Sequence, residues 1–576
     1  MISSTISSII LRSTFVLALA QLSCVAAKQT ADSRFGVMTH FAQGWPLSVV
    51  DKIGAGPVRF VRDEIPWADI EVKKGRFAFP RECDAYMAAL AENDISPLVI
   101  FAFGNENYDK GMTPYSEQAI KGYSRYCSEV LAHYGSQIRE VEIWNEYNGG
   151  FCQGAAKTNR VETYLRMLKS AYVRIKRDRP EVTVCAGATE GIPLPYWEKL
   201  LAGGAARYMD VATVHPYRFE QPPEGLERDI EELRELIKKY NGGADKPIWV
   251  SEIGWGSGLE HGALSVDEVT QAKFLVRAYV LLLSAKVERV YWYLFKDHQQ
   301  FKMGLIKDEG GSQAHRRAFT ALKTLMEQLR GASFSAREST DEDVYSFLFS
   351  TPEGEQIRVM WSIDEASHEV QCSGQAVDIT GRKLDTTKAI MLSDAPIYVK
   401  GPIKGPAMQC KKSKGRTADA RRNFSNEQGK DGWNYGYYRG NEFASMTDCV
   451  TIDSKMQWEG GAPYSLISAT EQHPSVEDGK RLPVVRRWVC PVECEIEIRA
   501  VFHCGSEGDG VGVSVWVAGK QLFREVIGGR AKLSKSFTAT LVVKKGTTVD
   551  FVVDPGPGTN IDFDGTTVRA NIHYDQ

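Results

Sequence analysis

Eight short β-rich segments alternate with longer helical patterns between residues 35 and 330, and this alternation constrains the fold most strongly. The predicted strands cover residues 35–39, 57–62, 97–103, 139–144, 182–188, 210–215, 247–252 and 288–295. Apolar residues recur at three- and four-residue spacings in 159–178, 227–240 and 267–285, which predicts helices there. Repeats of this kind build parallel sheets, and eight of them over roughly 300 residues predict a closed (β/α)8 TIM barrel.

A doubly wound open sheet is the alternative arrangement of such repeats. Open sheets that bind dinucleotides carry a glycine-rich phosphate loop of the GxGxxG type after a strand. None of the eight predicted strands is followed by such a loop. The closed barrel is therefore the favoured fold.

The chain has 576 residues, too many for one hydrophobic core. After residue 331 the sequence pattern changes from alternating strands and helices to short β-rich segments. Period-two segments such as DVYSFLFST and QIRVMWSID predict a small β-sandwich over 332–404. Residues 405–420 are basic and lack a long apolar run, which predicts a linker. Residues 421–576 predict a jelly-roll-like all-β domain. Its Trp- and Tyr-rich segments weakly resemble carbohydrate-binding modules, and a structural sandwich with buried aromatics is equally consistent with them.

The N-terminal segment has the pattern of a secretory signal. A cation at Arg12 precedes the apolar run 15–20, and small residues stand near Ala27. We predict a signal peptide over residues 1–27, with the barrel domain covering 28–331 and the mature protein secreted or periplasmic. A membrane anchor is the alternative, but the uninterrupted apolar run is shorter than the roughly 20 residues that span a bilayer. Lipid attachment at Cys24 is a second alternative.

Net charge bears on the class of binding partner, and cysteine content bears on disulfides and zinc sites. A formal net charge of -3 gives no electrostatic basis for nucleic acid or an anionic membrane as partner. Of 11 cysteines, 10 remain after removal of Cys24, an even number that permits disulfides in an exported protein. Buried free thiols explain the same count. No CxxC pair or zinc-finger spacing is present.

Two carboxylates stand where a barrel of this type places its catalytic groups, at the carboxyl ends of the strands. Glu146, in WNEYNGGF, follows the fourth predicted strand, and Glu252, in IWVSEIGWG, closes the seventh. Strands three steps apart face each other across the barrel mouth. Paired carboxylates are what glycoside hydrolysis needs, because one protonates the leaving oxygen while the other meets the oxocarbenium-like centre. Ordinary surface carboxylates are the alternative for each residue taken alone.

These two motifs, together with RFVRDEIPWADIEVKKGRFAFP and PLVIFAFGN, make residues 35–330 resemble the retaining glycoside hydrolases of clan A. The sequence is most similar to family 39 and its neighbours, and families 5 and 17 also fit. The resemblance implies that Glu146 is the general acid/base and Glu252 the nucleophile of a double displacement. It implies an oligo- or polysaccharide substrate with β-linkages and no cofactor.

The resemblance also assigns the residues beside the two carboxylates. Asn145 would bind the sugar 2-hydroxyl, and Arg62 would keep the nucleophile ionised. Arg59 is an alternative match, and an ion pair with Asp63 or Glu64 is an alternative role for Arg62. His215 and Tyr217 end the sixth predicted strand, where clan members often place a His and a Tyr whose phenol bonds the nucleophile.

Further residues are candidates for the sugar-binding surface. Trp292, at the end of the eighth predicted strand, would form the aromatic platform under the sugar, with core packing as the alternative for Tyr291, Trp292 and Tyr293. His40, Asn105 and Trp255 follow strands one, three and seven, and are weaker candidates for the rim. The turn NEYNGGF departs from the Asn-Glu-Pro of many relatives. Its Gly149-Gly150 pair is expected to reshape the part of the site that holds the acceptor sugar.

No metal site is predicted. Asp554, Asp562 and Asp564 lie in predicted loops that could hold calcium, but Asp-Pro and Asp-Gly pairs also form plain turns. The sequence therefore predicts a secreted retaining glycoside hydrolase. A transglycosidase and a non-catalytic carbohydrate-binding barrel are the alternatives.

Overall fold

The structure is a computed structural model of the chain. It describes residues 32–575 except 219–221, 258–264, 299–301, 309–313, 340–343, 364–367, 402, 405–414, 422, 453–454, 505–507, 530–533, 557, 559 and 563. The predicted signal peptide, residues 1–27, lies outside the described residues. In the described part of the chain, no helix is both long and apolar enough to cross a membrane.

Eight parallel strands close into a barrel in the order β1-β8-β7-β6-β5-β4-β3-β2, which confirms the predicted fold and excludes the open sheet. The strands are β1 Phe35–Met38, β2 Phe60–Glu64, β3 Ser96–Phe101, β4 Glu140–Ile143, β5 Thr183–Glu190, β6 Val211–His215, β7 Ile248–Ile253 and β8 Arg289–Trp292. They are buried almost throughout, because helices cover the outer face and side chains fill the interior.

Helices surround the barrel and pack their apolar faces against it. They are Ser48–Ala55, Trp67–Ile70, Arg81–Glu92, Glu117–Tyr134, Arg160–Asp178, Leu194–Ala202, Leu226–Tyr240, Glu268–Ser284 and Arg317–Gln328. In Leu226–Tyr240, for example, Ile230, Leu233 and Ile237 are buried, as their three- and four-residue spacing predicts.

The barrel interior below the mouth is filled by one side chain from each of several strands. Tyr291 packs there in a cluster with Leu98, Cys185, Val211 and Trp249. A Cβ atom at Gly36 would collide with the Tyr291 ring, so the glycine makes room for it. This packed layer closes the barrel and leaves the carboxyl ends of the strands as the place where a site can form.

The region after the barrel forms a small all-β unit of two sheets. Its strands are β9 Ser333–Arg337, β10 Val344–Ser350, β11 Gln356–Ser362, β12 Glu369–Cys372, β13 Gln375–Asp378, β14 Ile390–Met391, β15 Ile397–Lys400 and β16 Ile403–Lys404. The orders are β9-β10-β11-β15-β13 and β14-β12-β16. Tyr345 and Trp361 of the larger sheet belong to the same hydrophobic cluster as the barrel helices, so this sheet packs on the barrel.

The C-terminal module is also all-β and antiparallel. Its strands are β17 Gly415–Asp419, β18 Trp433–Arg439, β19 Glu442–Ser445, β20 Asp448–Ile452, β21 Lys455–Glu459, β22 Leu466–Ser468, β23 Glu471–His473, β24 Ser475–Glu477, β25 Lys480–Leu482, β26 Val484–Val489, β27 Cys494–Cys504, β28 Val511–Val517, β29 Lys520–Ile527, β30 Ser534–Val543, β31 Thr548–Asp554 and β32 Thr566–Asp575. The two large sheets have the orders β20-β21-β22-β23-β32-β27-β30 and β19-β18-β26-β31-β28-β29.

Two features of this module bear on the sequence predictions. Trp433, Trp458 and Trp488 are buried in its core, so these tryptophans serve packing rather than an exposed binding face. The predicted linker 405–420 is wrong in its last part, because Gly415–Asp419 pairs with β32 as a strand of the module. Residues 405–414 lie outside the described residues.

Candidate active site

The motif after β4 forms a strained turn at the barrel mouth. Trp144 and Glu146 both have left-handed backbone conformations, with φ of 68° and 45°. Such conformations cost a non-glycine residue on the order of 1–3 kcal/mol and are maintained only by surrounding contacts. One such contact is the Glu146 N–H, which donates to Ala188 O at 2.8 Å. The turn thereby fixes where Asn145 and Glu146 point.

Glu146 and Glu252 meet across the mouth. One carboxylate oxygen of each, together with a ring nitrogen of His215, lie within 4.8 Å of one another. The two side chains are only 15% and 9% exposed, so the pair is largely shielded from bulk water. The structure therefore brings together the two carboxylates that the sequence singled out.

Arg62 links the nucleophile candidate to two further side chains. It is fully buried, and its Nη1 atom bonds Glu252 Oε1. Its Nε atom donates to Glu142 Oε2 at 2.7 Å, and its Nη2 atom to Asn145 Oδ1 at 2.8 Å. Arg59, the alternative match, instead donates to backbone carbonyls of its own loop. The geometry thus places Arg62, and not Arg59, at the carboxylates.

The charges around Glu252 favour its ionised form. Burial alone raises the pKa of a carboxyl group, but nearby His215 and Arg62 outweigh this and lower the pKa of Glu252. Hydrogen bonds act in the same direction, because the Tyr217 hydroxyl donates to Glu252 Oε2 at 2.7 Å. The same carboxylate helps to raise the pKa of Arg62 despite that residue's complete burial. Glu252 is therefore set up as an anion.

His215 lies between the two halves of the site. Its Nδ1 atom is 2.9 Å from Glu146 Oε1, and its Nε2 atom is 3.0 Å from Ser251 Oγ. Burial would lower the pKa of His215, but Glu252 and the hydrogen bond to Glu146 raise it. A histidine held at both nitrogens fixes the orientation of the Glu146 carboxylate.

A β-bulge in β7 directs two consecutive residues, Ser251 and Glu252, toward the barrel interior. Val290 of β8 pairs with Val250, but Trp292 pairs with Ile253, so β7 has one extra residue between these pairs. Such a bulge re-aims side chains. Ser251 consequently reaches His215 while the next residue, Glu252, reaches Arg62.

The predicted platform Trp292 is wrong. Because Tyr291 points into the barrel, Trp292 points the other way, is fully buried, and stacks on Trp255 with ring centroids 6.0 Å apart. Its indole N–H donates to Met303 O at 3.1 Å. Trp255 is likewise buried against Phe274 and does not form part of a sugar-binding rim. Both tryptophans pack between the barrel and its helices.

Tyr293 occupies the position at the site that the sequence assigned to Trp292. Its ring lies edge-on to Tyr217, with centroids 6.2 Å apart, and its hydroxyl is 3.2 Å from His40 Nε2. Burial, followed by the charge of Glu252, raises the pKa of Tyr293. Tyr293, directly after β8, is therefore the aromatic side chain that faces the carboxylates.

The two remaining candidates differ in outcome. His40 lies at the site, where burial and the nearby His298 lower the pKa of His40 to about 4, so it is neutral at neutral pH. Asn105 is wrong as a sugar-binding residue, because its amide donates to Trp67 O at 3.2 Å and to Glu71 O at 3.0 Å. Its side chain holds two loops together instead.

Glu142 is the functional residue that sequence reasoning missed. It is fully buried, pairs with Arg62, and its second oxygen has no partner among the described residues. The sequence EVEIW indicates a charged interior face, because alternate residues of a strand lie on the same face and Glu140 and Glu142 are therefore on one side. A charged residue in the middle of a buried strand needs a partner of opposite charge.

An aromatic pair, Phe103 and Phe151, lies against Trp144 of the β4 motif. Phe103, just after β3, stacks on Phe151 with ring centroids 5.2 Å apart, and Phe151 is 43% exposed. Phe151 O accepts a hydrogen bond from the Trp144 indole at 3.3 Å. The Gly149–Gly150 turn thus leads into an exposed aromatic ring, that of Phe151.

The donor set at the mouth, Glu146, His215 and Glu252, is spaced closely enough for a metal ion. However, the guanidinium of Arg62 already supplies a positive charge in direct contact with Glu252. A cation at the same carboxylate would be repelled by it. The arrangement is better suited to acid–base and nucleophilic chemistry.

Comparisons with known proteins agree with this fold. No protein-family model matches the sequence, and neither does any curated protein. The chain is similar to a family 39 glycoside hydrolase from the gut symbiont Bacteroides cellulosilyticus WH2, with 19% identity, a TM-score of 0.56, and 65% of this chain and 81% of that chain covered. This likeness confirms the predicted resemblance at the level of the fold.

Two further solved structures show lower overall similarity. One is the catalytic domain of GH30 xylanase C from Talaromyces cellulolyticus, with 12% identity, a TM-score of 0.46, and 65% and 98% of the two chains covered. The other is a GH39 β-xylosidase from Caulobacter crescentus, with 15% identity, a TM-score of 0.44, and 64% and 96% covered.

Proposed function

We propose that the chain is a retaining glycoside hydrolase that cleaves β-linked glycans by double displacement. The observation that carries the proposal is the approach of a Glu146 oxygen to a Glu252 oxygen within 4.8 Å. Retaining enzymes hold their carboxyl groups about 5–5.5 Å apart, whereas inverting enzymes need about 6.5–9.5 Å to admit a water molecule. The separation supports direct attack by a carboxylate.

In the first step Glu252 attacks the anomeric carbon while the glycosidic C–O bond breaks and Glu146 gives its proton to the leaving oxygen. In the second step the Glu146 carboxylate takes a proton from water, which attacks the same carbon and releases Glu252. Arg62 and Tyr217 support nucleophilic attack by Glu252, because both stabilise its anion. His215 holds Glu146 in place for both proton transfers.

Asn145 and Tyr293 would orient the sugar. The Oδ1 atom of Asn145 accepts from Arg62, which turns its amide N–H group outward, and no acceptor for that group is found among the described residues. The group can donate to the sugar 2-hydroxyl, a contact that strengthens in the transition state. The Tyr293 ring would pack against the apolar face of the sugar.

We further propose that the protein acts after export, in the periplasm or outside the cell. The support is the pattern of residues 1–27, a cation followed by an apolar run and small residues. Detection of a mature chain beginning near Lys28 by N-terminal sequencing is the expected result.

The test of the reaction is incubation of the chain with β-linked glucans, xylans, mannans and galactans, with the anomer of each first-formed product followed by NMR. A β-product is expected, and an α-product would refute the nucleophile role of Glu252. Glu252→Ala should abolish turnover with folding intact. Glu146→Ala should turn over slowly and be partly restored by substrates with activated leaving groups.

Product analysis with and without added sugar acceptors separates the two remaining alternatives. Predominant transfer to the acceptor would identify a transglycosidase on the same site. Binding without any turnover would identify a carbohydrate-binding barrel, and would contradict the proposal.

A further inference from the structure

Two cysteines of the C-terminal module lie at the two ends of a short connection between its large sheets. Cys490 directly follows β26, and Cys494 begins β27, within the sequence CPVEC. Because β26 belongs to one large sheet and β27 to the other, the residues between the cysteines carry the chain from sheet to sheet. A covalent bond between the two cysteines would close this crossing.

A second crossing lies beside the first and holds the backbone of both cysteines. It connects β30 to β31 and joins the same two sheets. Cys494 pairs with Val543, the last residue of β30. The Cys490 N–H donates to Thr547 O at 2.9 Å, and Cys490 O accepts from the Gly546 N–H at 2.8 Å. Backbone hydrogen bonds to one neighbouring connection therefore fix the positions of both cysteines.

The two side chains point toward each other. Cys490 Sγ lies 3.8 Å from Cys494 Sγ. Both sulfurs are also close to one carbonyl oxygen, that of Val492, at 3.0 Å and 3.8 Å. The S–S distance of a disulfide is about 2.05 Å. The sulfurs must therefore approach by less than about 2 Å to form a bond, a movement within the reach of side-chain rotation.

A metal site is the other use of paired thiols. Structural zinc takes four ligands from Cys, His or carboxylate side chains. Within the part of the chain that the structure describes, the one group of three or more potential ligands lies at the barrel mouth and contains neither cysteine. The pair is therefore better suited to a disulfide than to a metal ion.

We propose that Cys490 and Cys494 form an intramolecular disulfide that fastens the crossing from β26 to β27. The proposal does not depend on the reaction at the barrel mouth. It agrees with the export proposed above, because disulfides form and persist in oxidising compartments.

The oxidant is a disulfide, either a small molecule or a protein, and the bond forms by thiol–disulfide exchange. Cys494 is partly exposed whereas Cys490 is buried, so the thiolate of Cys494 attacks the oxidant first and releases one thiol. The thiolate of Cys490 then attacks the Cys494 sulfur of the mixed disulfide and releases the second thiol. The protein loses two electrons and two protons, and the oxidant is reduced to two thiols.

The bond should stabilise the module by a modest amount. It closes a loop of only five residues, and the entropy that a disulfide removes from the unfolded chain increases with loop length. For a domain of this size, the expected rise in the unfolding temperature is about 4–8 °C.

The test uses the native full chain, reduced with dithiothreitol, freed of the reductant and incubated with oxidised glutathione. Trypsin leaves both cysteines in one peptide, residues 488–499, because Arg487 precedes it and Arg499 ends it. After treatment with iodoacetamide, mass spectrometry should show this peptide unalkylated and about 2 Da lighter than its reduced form. Two alkylated thiols in the oxidised sample, or glutathione retained on Cys494, would overturn the proposal.

Cys490→Ser removes one sulfur and gives the matched comparison. In this variant Cys494 should be alkylated or carry glutathione, and oxidised glutathione should not raise the unfolding temperature. Cys449→Ser, the same change at another partly exposed cysteine of the module, is the control and should form the bond like the wild type. An unfolding temperature that oxidation leaves unchanged in the wild type, or raises equally in Cys490→Ser, would refute the stabilising role.

Discussion

Replacing Tyr217 with phenylalanine removes one hydrogen bond from the carboxylate of Glu252 and leaves the shape of the site intact. The lost contact is the 2.7 Å bond from the Tyr217 hydroxyl to Glu252 Oε2. The ring would remain edge-on to Tyr293. Because the bond is made to the charged form of Glu252, its loss acts on ionisation rather than on packing.

The magnitude follows from the burial of the acceptor. A hydrogen bond to a charged group contributes about 1.5–3 kcal/mol. The Glu252 side chain is only 9% exposed, so solvent screens little of this interaction. One pH unit corresponds to about 1.4 kcal/mol of difference between protonation states. The pKa of Glu252, which is lowered in the wild type, therefore rises, and the acidic limb of kcat/KM moves upward by about one to two pH units.

Stability gives a second measurement that needs no substrate. A carboxyl group whose pKa is lowered by folding stabilises the folded state above its unfolded pKa of about 4.5, and this stabilisation is lost as the pH falls through the folded pKa. Tyr217→Phe should thus be less stable than the wild type at pH 7, and the difference should narrow in acid. Chemical denaturation across the pH range measures it.

Tyr279→Phe is the matched control. The Tyr279 hydroxyl is also buried, but it donates to the backbone carbonyl of Val290 at 3.3 Å and has no ionisable partner in its hydrogen bond. Its removal should change stability equally at every pH and leave the acidic limb in place. An unmoved limb in Tyr217→Phe, or a pH-independent loss of stability like that of the control, would refute the role given to Tyr217.

Two further predictions separate binding residues from packing residues at the barrel mouth. Tyr293→Ala should raise KM about tenfold or more through loss of the sugar platform, whereas Trp292→Phe should lower the unfolding temperature and leave KM unchanged. Steady-state kinetics and thermal denaturation of both variants measure these effects. A raised KM in Trp292→Phe alone would reverse the assignment. Asn105→Ala should destabilise the chain by about 0.5–1.5 kcal/mol for each hydrogen bond lost, without changing KM. The oxygens of Trp67 and Glu71 keep their second donors, the Glu71 N–H and the Asn107 side chain. A KM effect with normal stability would return Asn105 to the sugar-binding surface.

The strands could be predicted because their residues must be apolar on two faces, whereas the strand ends could not. The sequence predicts that the second strand ends at Arg62, before the charged Asp63 and Glu64. Both residues nevertheless belong to β2 and are buried. Asp63 accepts bonds from Thr39 and from the Phe41 N–H, and burial raises its pKa to about 7. A local sequence pattern does not show tertiary hydrogen-bond partners of this kind.

At the site, the sequence identified the two glutamates because motif and strand end coincide. It failed at Trp292 because a run of three aromatics gives no indication of which ring faces the mouth; the interior position of Tyr291 decides that. It missed Glu142 because that residue acts through Arg62, which comes from a different strand. The extra residue of β7 that brings Ser251 and Glu252 to the interior is likewise visible only in the pairing with β8.

The pairing of β17 with β32 affects how the C-terminal module can be separated from the barrel. A fragment that begins at residue 421 lacks β17, and the last five residues of β32, Asn571–Asp575, then lose one row of backbone hydrogen bonds. Such an open edge recruits a strand from another molecule and promotes aggregation. A fragment that begins before Gly415 keeps the edge covered. It also brings its two ends side by side, so that a short peptide could join them and new termini could be opened elsewhere in the module.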